Sequence, residues 1–342
     1  MASVIDVQRR SSLAKPEVTT RSLEDAEEIA DLVNEVWHMQ YPDNSLLPQW
    51  PAEFFDWQFL RAGPEHDAVC MGVFIGGAPV GVYCGDCWSI RFGGHEDRAT
   101  LLSCVSVRSD ARHPAVAASA LASMREWSEH HDSHYFFGYV NPDGVEGVGR
   151  RYWTTRRGYR SVFLRHPRLW QLDPERSPLC SGGFPPAAPV DLDVAARQVR
   201  QLLDAHRADE AILFDWPAKR LTRQLRYGDI AHTVGGRSRD DGICSYYILP
   251  TRDGASLAYI DFLTFAADAP ERAAPVLGEA LARMREQHCR RVFIQGEPLH
   301  GPALLKRLGF VPCFPSYTPL MLAWDEHVPL PSGDDAALVI YR

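Results

Sequence analysis

The sequence predicts an α+β fold made of two tandem domains, each a mixed, mostly antiparallel sheet flanked by helices. The chain has 342 residues, which is long for one core and enough for two domains of roughly 150 residues each. Strand-like runs and helical stripes follow one another in the same order in both halves. A Pro-, Gly- and Ser-rich segment without periodicity, 177–189, separates them and is the predicted linker.

The first half opens, after a loose tail at 1–17, with an amphipathic helix. Its apolar residues recur at helical spacing from Ile29 to Val36. Ser22 is expected to cap this helix, because a serine hydroxyl can accept hydrogen bonds from the free N–H groups of a first turn. The strands predicted after it are 68–74, 80–83 and 99–107.

A long helix is predicted from Pro114 to His130. Proline suits a first helical position, and the apolar residues from Val116 to Trp127 form one stripe. After this helix the predicted elements are a strand at 134–140, a loop at 141–149, a short helix around Tyr152, a turn at Gly158 and a last strand at 163–172.

The second half repeats this order, which indicates an internal duplication. The segment 306–310 (Lys-Arg-Leu-Gly-Phe) stands where 156–159 (Arg-Arg-Gly-Tyr) stands in the first half. The segment 221–225 more faintly matches the aromatic-rich 54–59. The predicted domains are therefore 18–176 and 190–342. Elements predicted in the second are helices at 192–206, 270–288 and 302–308 and strands at 244–249, 257–262 and 291–295.

Composition and charge exclude several classes of protein. The net charge is −8, which argues against general nucleic-acid binding. No run approaches the ~20 apolar residues of a membrane span, and the first twenty residues contain no apolar signal segment. Eight cysteines without regular spacing point to the reducing cytoplasm. Cys84 and Cys87 form one Cys-x-x-Cys without a second ligand pair, so packed thiols are expected and no metal site.

A basic cluster lies between Arg150 and Arg168, with seven arginines and no acidic residue. Two interpretations stay open: a solvated basic face, or a contact surface for phosphates or an acidic partner. The candidate partner-binding residues are Arg150, Arg151, Arg156, Arg157 and Arg160.

The order of elements, with an arginine-containing loop before the long helix, resembles the GNAT superfamily of N-acyltransferases. Members of that family mark the donor site with Arg/Gln-x-x-Gly-x-Gly/Ala at this place. The matching residues here are 112–117 (Arg-His-Pro-Ala-Val-Ala), with Ala115 in place of the middle glycine. Gly158-Tyr159 resembles the end of the family's Leu-Gly-Phe turn, and Asn141 stands where the family has an asparagine near the end of the fifth strand.

A helix N-terminus suits an anion, because its first N–H groups are unpaired and carry partial positive charge. Ala115 and Ala117 leave room for a pyrophosphate, but Pro114 removes one donor. The corresponding segment of the second half, 264–271, has two acids and no arginine, so that half is expected to bind no nucleotide and to wall the acceptor cleft.

The resemblance implies that a pantetheine arm lies between the fourth and fifth strands, here 103–107 and 137–141, with backbone groups of Val105 and Val107 pairing with its amides. The implied donor-binding residues are Val105, Val107, Arg112, His113, Ala115, Val116, Ala117 and Asn141.

Amine acylation also needs a base and a proton donor. Where the family often has an acid on the fourth strand, this chain has Cys104, which is either a nucleophile or a core thiol. His134 and Asp261 are the alternative bases, and each is also consistent with a structural role. Tyr152 is the candidate general acid, with Tyr139 in reserve.

The leading hypothesis is an enzyme that moves an acyl group from a pantetheine thioester to a small-molecule amine. The donor is coenzyme A or the phosphopantetheine of an acidic acyl carrier protein, and no cofactor is bound permanently. A tRNA-dependent aminoacyl transferase of the tandem GNAT-like type and a non-catalytic binding protein are the alternatives. A monomer or weak dimer is expected.

Overall fold

The computed structural model describes residues 17–61, 66–140, 158–165, 168–181, 190–205, 211–235, 242–265, 273–296, 300–313, 318–331 and 337–339. In the first half the elements are β1 Val18–Ser22, α1 Ala26–Gln40, α2 Ala52–Phe55 with a following π-helical turn Asp56–Leu60, β2 Ala68–Ile75, β3 Ala78–Phe92, β4 His95–Val107, α3 Pro114–His130, β5 Tyr135–Val140, β6 Arg160–Phe163 and β7 Leu169–Leu172.

In the second half the elements are α4 Leu192–Ala205, β8 Ala211–Phe214, α5 Ala218–Leu225, β9 Ala231–Gly235, β10 Ile243–Pro250, β11 Ser256–Thr264, α6 Ala273–Glu286, β12 Cys289–Gln295, α7 Pro302–Arg307, β13 Val311–Cys313, β14 Thr318–Ala323 and β15 Ala337–Val339. None of the described helices is both long and apolar enough to cross a membrane.

Helix α1 is capped by Asp25 and not by Ser22, so that part of the sequence interpretation is wrong. Ser22 is the last residue of β1, where it pairs with Met71 of β2. The Asp25 carboxylate accepts from the N–H groups of Glu27 and Glu28 at 2.8 and 3.4 Å. Strand pairing holds Ser22 in β1, and the aspartate three residues later takes the capping position.

The strands form two mixed, mostly antiparallel sheets, as the sequence predicts. Within the described residues, the main path of the first sheet is β1-β2-β3-β4-β5-β14-β6, with β8 joined to β3 and β15 to β8. The second sheet has the order β13-β7-β12-β11-β10-β9. The only parallel pairs in this part of the chain are β4 with β5, β11 with β12 and β8 with β15.

The two halves exchange their last strands. Strand β7 of the first half lies between β13 and β12 of the second sheet, and β14 of the second half lies between β5 and β6 of the first. The single closing strand predicted at 163–172 is therefore wrong: β6 and β7 are separate strands in different sheets. Each exchanged strand gives hydrogen-bond partners to the edges of two strands of the opposite half or sheet, which would otherwise lack them.

Because of this exchange, the two sheets do not follow the order of the chain. The ranges 18–176 and 190–342 describe chain order, because 169–172 and 318–323 belong to the sheet of the opposite half. The linker at 177–189 stays a prediction, since 182–189 lie outside the described residues.

A shared apolar core joins the halves. Trp88, Leu101 and Phe137 of the first half pack in one buried cluster with Phe214 and Phe262 of the second. Because the hydrophobic effect grows with the apolar area removed from water, neither half is expected to be stable alone.

The two segments matched by sequence, 54–59 and 221–225, meet each other in the fold. The Trp57 indole N–H donates to the carbonyl oxygen of Arg223 at 3.1 Å, and the Arg223 guanidinium donates to the carbonyl oxygen of Asp56 at 3.1 Å. Gln58 Nε2 donates to Oε1 of the matching Gln224 at 3.2 Å, and both side chains are buried. Equivalent residues thus face one another across the interface of the duplicated halves.

The thiols of Cys84 and Cys87 are both buried, as the sequence predicts. Cys84 accepts a hydrogen bond from Cys70 Sγ at 3.3 Å, whereas Cys87 Sγ lies 3.5 Å from Thr100 Oγ1. The two cysteines of the motif therefore have different neighbours. In the described part of the chain, no group of three or more His, Cys, Asp or Glu residues has the arrangement to hold a metal ion.

Candidate functional site

Strands β4 and β5 pair over three residues only, in the middle of β4 and at the start of β5. Their three pairs run from Ala99↔Tyr135 to Leu101↔Phe137, although β4 continues to Val107 and β5 to Val140. A Cβ added at Gly138 would meet nothing nearer than Leu102 Cβ at 3.9 Å. Because no ladder joins the two strands beyond Leu101, their C-terminal ends border an opening, which we name the β4–β5 gap. The gap that the sequence interpretation required is present.

A bulge in β4 forms one wall of this gap. The register with β3 shifts between Val82↔Ser106 and Cys84↔Ser103, and Cys104 has φ +48°. Such a φ is costly for a residue with a Cβ and persists only where its surroundings hold it. Here the Ser106 hydroxyl donates to the carbonyl oxygen of Cys104 at 2.9 Å, and the Trp37 indole of α1 donates to Ser106 Oγ at 2.7 Å.

The ladder between β3 and β4 fixes the direction of the Val107 backbone. Val107 is paired with Gly81, and the neighbouring Arg108 N–H donates to the carbonyl oxygen of Val80 at 2.9 Å. Since backbone groups alternate in direction along an antiparallel strand, the N–H and C=O of Val107 point away from β3 and toward the gap. This is the orientation expected of a backbone that binds a ligand lying between the strands.

The gap is flanked by two exposed apolar side chains. Val105 of β4 is 44% exposed and Tyr139 of β5 is 37% exposed, and few large apolar side chains among the described residues are as exposed. Both belong to the parts of β4 and β5 that do not pair with each other. Together they give the gap an apolar rim suited to a ligand with apolar methylene segments.

The Cys104 thiol lies on the α1 side of the sheet, packed with the buried cluster that contains Cys70 and Cys84. It interacts with the Cys84 thiol, whose pKa is raised by burial and then by its hydrogen bond to Cys104. The thiolate, not the thiol, is the nucleophile in cysteine chemistry. This packing favours the core-thiol interpretation of Cys104 over the nucleophile.

The N-terminus of α3 caps itself. The His113 imidazole accepts from the Ala115 N–H at 3.1 Å, and the His113 carbonyl oxygen accepts from Val116 N–H at 2.9 Å and more distantly from Ala117 N–H at 3.4 Å. Pro114 has no N–H at all. The N–H groups of Ala115, Val116 and Ala117 are therefore all engaged, and none is left for a pyrophosphate. The helix nevertheless begins at the residue that the sequence predicts.

Arg112, the first residue of the motif, is exposed, and its guanidinium donates to Gln40 Oε1 of α1 at 2.8 Å. This contact ties the loop before α3 to the helix that also anchors the β4 bulge. The expected roles of 112, 113, 115, 116 and 117 in donor binding stay predictions.

His134 does not lie at the gap. It precedes β5 at the paired end of the two strands, where its Nδ1 is 2.7 Å from Asp97 Oδ1. An open pocket of about 760 Å³ borders it at that end of the sheet, on the side away from the gap. This position argues for a structural hydrogen bond between His134 and Asp97 and against a base acting on a ligand between β4 and β5.

Asp261 is the extra residue of a second bulge, in β11, where the register shifts between Ser245↔Phe262 and Tyr246↔Ile260. The bulge matches that of β4, which extends the evidence for duplication. The Asp261 carboxylate is buried and accepts from Gln224 Nε2 at 2.6 Å. It thus extends the buried chain of hydrogen bonds that starts at Gln58, and its contacts are those of an interface residue.

Arg160 is the one member of the proposed partner-binding set that the structure describes. Its guanidinium donates to the carbonyl oxygens of Asp325, at 2.7 Å, and of Val328, so it fastens β6 to the segment after β14. The other candidates, Asn141, Arg150, Arg151, Tyr152, Arg156 and Arg157, lie outside the described residues.

Comparison with known proteins gives structural relatives only. No protein-family model matches the sequence, and no curated protein matches it. Among solved structures, Saccharomyces cerevisiae N-myristoyltransferase with bound myristoyl-CoA aligns over 92% of this chain and 80% of its own, with a TM-score of 0.64 and 11% identity. A tandem GNAT protein from the clavulanic acid biosynthesis pathway aligns over 90% and 98%, with a TM-score of 0.61 and 17% identity.

A GCN5-related N-acetyltransferase from Anabaena variabilis aligns over 90% of this chain and 72% of its own, with a TM-score of 0.53 and 14% identity. At these identities the likeness concerns the fold. The open end of the β4–β5 pair, the matching bulges of β4 and β11 and these alignments agree. The chain has the GNAT fold, built as a tandem of two GNAT-like halves.

Proposed function

We propose that this protein is an N-acyltransferase that moves an acyl group from a pantetheine thioester to the amine of a small molecule. The β4–β5 gap carries the proposal, because its wall offers the Val107 N–H and its rim is apolar. The structural relatives support it, since their names include an acetyltransferase and a myristoyltransferase with bound myristoyl-CoA.

In this proposal the pantetheine arm lies along the unpaired edge of β4, with its amides hydrogen-bonded to the backbone of Val105 and Val107. The thioester then faces the region between the gap and α1. A carbonyl held by fixed N–H donors is more easily attacked, because the donors stabilise the negative charge that develops on its oxygen. Tyr139, on the opposite rim, is the described candidate for protonating the leaving sulfur.

The α3 N-terminus favours a donor carried by a protein over free coenzyme A. His113 and Pro114 leave the helix start without free donors for a pyrophosphate, which coenzyme A carries. Phosphopantetheine on an acyl carrier protein lacks that nucleotide end. We therefore propose an acyl carrier protein as the natural donor, in the cytoplasm of a bacterium.

Opening the helix start should improve binding of coenzyme A. In the variant H113A/P114S, the Ala115 N–H is released and residue 114 gains an N–H. Because hydrogen bonds to a charged group are stronger than neutral ones, the affinity for coenzyme A is expected to rise about tenfold or more. Calorimetric titration measures it. The control is A118S, on an exposed turn of the same helix. An unchanged affinity for coenzyme A in H113A/P114S would contradict this role of His113.

The function itself is tested by offering three activated donors in turn: acetyl-coenzyme A, an acetylated holo acyl carrier protein and, for the aminoacyl alternative, an aminoacyl-tRNA. Each is incubated with a panel of small amines, and amide products are measured by mass spectrometry. Amide formation from either thioester supports the proposal, with the carrier protein expected to be the better donor. Transfer from aminoacyl-tRNA alone, or from none of the three, would refute it.

A further inference from the structure

A short chain of hydrogen bonds runs from α1 into the β4 bulge. The Trp37 indole N–H donates to Ser106 Oγ at 2.7 Å, and the Ser106 hydroxyl donates to the carbonyl oxygen of Cys104 at 2.9 Å. An indole nitrogen can only donate, so Ser106 Oγ accepts from it and directs its own proton to Cys104. Ser106 is 1% exposed, so water does not compete for either hydrogen bond. We name Trp37, Ser106 and Cys104 the bulge relay.

Trp37 is held in place by its aromatic neighbours. Its ring packs against those of Trp50 and Tyr41, with ring centroids 5.1 and 5.9 Å away. Trp50 is itself joined to α1, because its N–H donates to Asn34 Oδ1 at 2.9 Å and its carbonyl oxygen accepts from Asn34 Nδ2 at 2.8 Å. The indole N–H is thus presented to Ser106 by a side chain with little freedom to turn away.

Two further contacts hold α1 against the end of β4. The Glu35 carboxylate lies 3.9 Å from the guanidinium of Arg108, the residue that directly follows β4. The Arg112 guanidinium donates to Gln40 Oε1 at 2.8 Å. Glu35 and Gln40 flank Trp37 along the helix, so the bulge relay starts from a part of α1 that is fixed beside β4.

The relay sets the direction of one peptide group in the wall of the β4–β5 gap. Trp37 and Cys104 pack on the face of the sheet that α1 covers, whereas Val107 packs with the buried residues of α3 on the opposite face. The C=O and N–H of a trans peptide point in opposite directions. Because Ser106 holds the Cys104 carbonyl toward the α1 face, the Val105 N–H points away from that face, to the side of the sheet on which α3 lies.

The conformation of Cys104 depends on this relay. Its φ of +48° is left-handed, which brings the Cβ of a residue other than glycine too close to the following carbonyl oxygen. The hydrogen bond from Ser106 offsets that cost and keeps residue 104 left-handed. Loss of the hydroxyl favours a return to negative φ, which rotates the peptide between Cys104 and Val105 and turns the Val105 N–H in another direction.

We infer that Trp37 and Ser106 are positioning residues for the acyl donor, which hold the bulge so that the Val105 N–H meets an amide oxygen of the pantetheine arm. This inference rests on the proposed function, in which the arm lies along β4. Ser106 is too buried to touch the donor, so it acts through the backbone of β4, and Trp37 acts through Ser106. A change at either residue therefore weakens binding of the donor and leaves the acceptor unaffected.

The substitution C104G gives the sharpest test, because glycine adopts positive φ without the Cβ cost and so does not need the hydroxyl. S106A is made in the wild type, in C104A and in C104G. Binding of a non-reactive thioether analogue of acetyl-phosphopantetheine is then measured by calorimetric titration. S106A is expected to weaken binding about tenfold in the wild type and in C104A, but less than about threefold in C104G. C104A is the matched control, since it removes the thiol and keeps the Cβ.

Two outcomes of this titration would overturn the inference. Equal weakening by S106A in all three backgrounds would show that the hydroxyl does not act through the conformation of residue 104. Unchanged binding in S106A alone would show that the hydroxyl does not act on the donor at all. W37F, which keeps an aromatic ring but lacks the indole N–H, is expected to weaken binding about threefold, as the loss of one neutral hydrogen bond does.

Steady-state kinetics separates positioning of the donor from a general loss of structure. In a wild type that acylates amines, S106A is expected to raise KM for the acylated donor about tenfold and to leave KM for the amine within about twofold. A merely structural role would impair both substrates. An equal rise in the two KM values would therefore overturn the inference while leaving acyl transfer intact.

A measurement without any substrate tests the relay even if the proposed function fails. Hydrogen exchange of the β4 amides beside the bulge, followed by mass spectrometry, is expected to be about tenfold faster in S106A and to return to the wild-type rate in S106A/C104G. Exchange in β10 and β11, which belong to the other sheet, is the internal reference and is expected not to change. Exchange beside the bulge that S106A leaves unaltered would overturn the relay, whether or not the protein acylates amines.

Discussion

Replacing Val107 with proline is expected to lower kcat/KM about a hundredfold while the protein stays folded. The Val107 N–H points into the β4–β5 gap and takes no part in the ladder with β3, where Arg108 N–H makes the adjacent bond. Proline in a strand is tolerated where the lost N–H was not a ladder donor. The substitution leaves an amide oxygen of the bound arm without its donor, which costs about 1–3 kcal/mol, or up to roughly 150-fold in kcat/KM.

The matched control is V107I, which keeps the N–H and the apolar side chain. It is expected to retain activity within about threefold, since the substitution adds a single methylene at a partly buried site. Chemical denaturation of both variants checks that the fold survives. If V107P were as active as V107I, the backbone of β4 would not hold the donor, and the placement of the pantetheine arm would be wrong.

Replacing Arg220 with methionine is expected to lower the free energy of unfolding by about 3–5 kcal/mol, because it leaves a buried carboxylate without its cation. Asp86 is fully buried, and its Oδ2 bonds to the Arg220 guanidinium and lies 3.1 Å from His66 Nε2. Arg220 also donates to the carbonyl oxygen of Cys87 at 3.2 Å and stacks on the Trp88 ring. This pair joins α5 of the second half to β3 of the first.

Urea denaturation measures the effect, and two variants interpret it. K219M removes an exposed cation one residue away and is expected to change stability by about 0.5 kcal/mol or less. The double variant D86N/R220M is expected to be more stable than R220M, since it removes the unpaired charge. A loss of less than about 1 kcal/mol in R220M would contradict the assignment of a coupled buried pair.

The order of elements could be predicted from the sequence because hydrophobic periodicity and turn residues are local. The bounds of α3, Pro114–His130, are those that its apolar stripe predicts. The exchange of β7 and β14 could not be predicted, because the same apolar strand pairs equally well with its own sheet or another. The cap of α1 was predicted wrongly for a related reason: the pairing of Ser22 with β2 depends on residues far along the chain, and it leaves the capping position to Asp25.

The site was less accessible to sequence reasoning. The gap and the Val105 and Val107 edge followed from the resemblance, but the capping role of His113 depends on a side-chain rotation that no pattern reveals.

The most direct test of the central claim is a crystal structure of the protein with a stable thioether analogue of an acylated phosphopantetheine. The arm is predicted to lie between β4 and β5, with one of its amide oxygens about 2.9 Å from the Val107 nitrogen and its sulfur toward α1. An arm bound elsewhere, with the strands unchanged and nothing between them, would contradict the account.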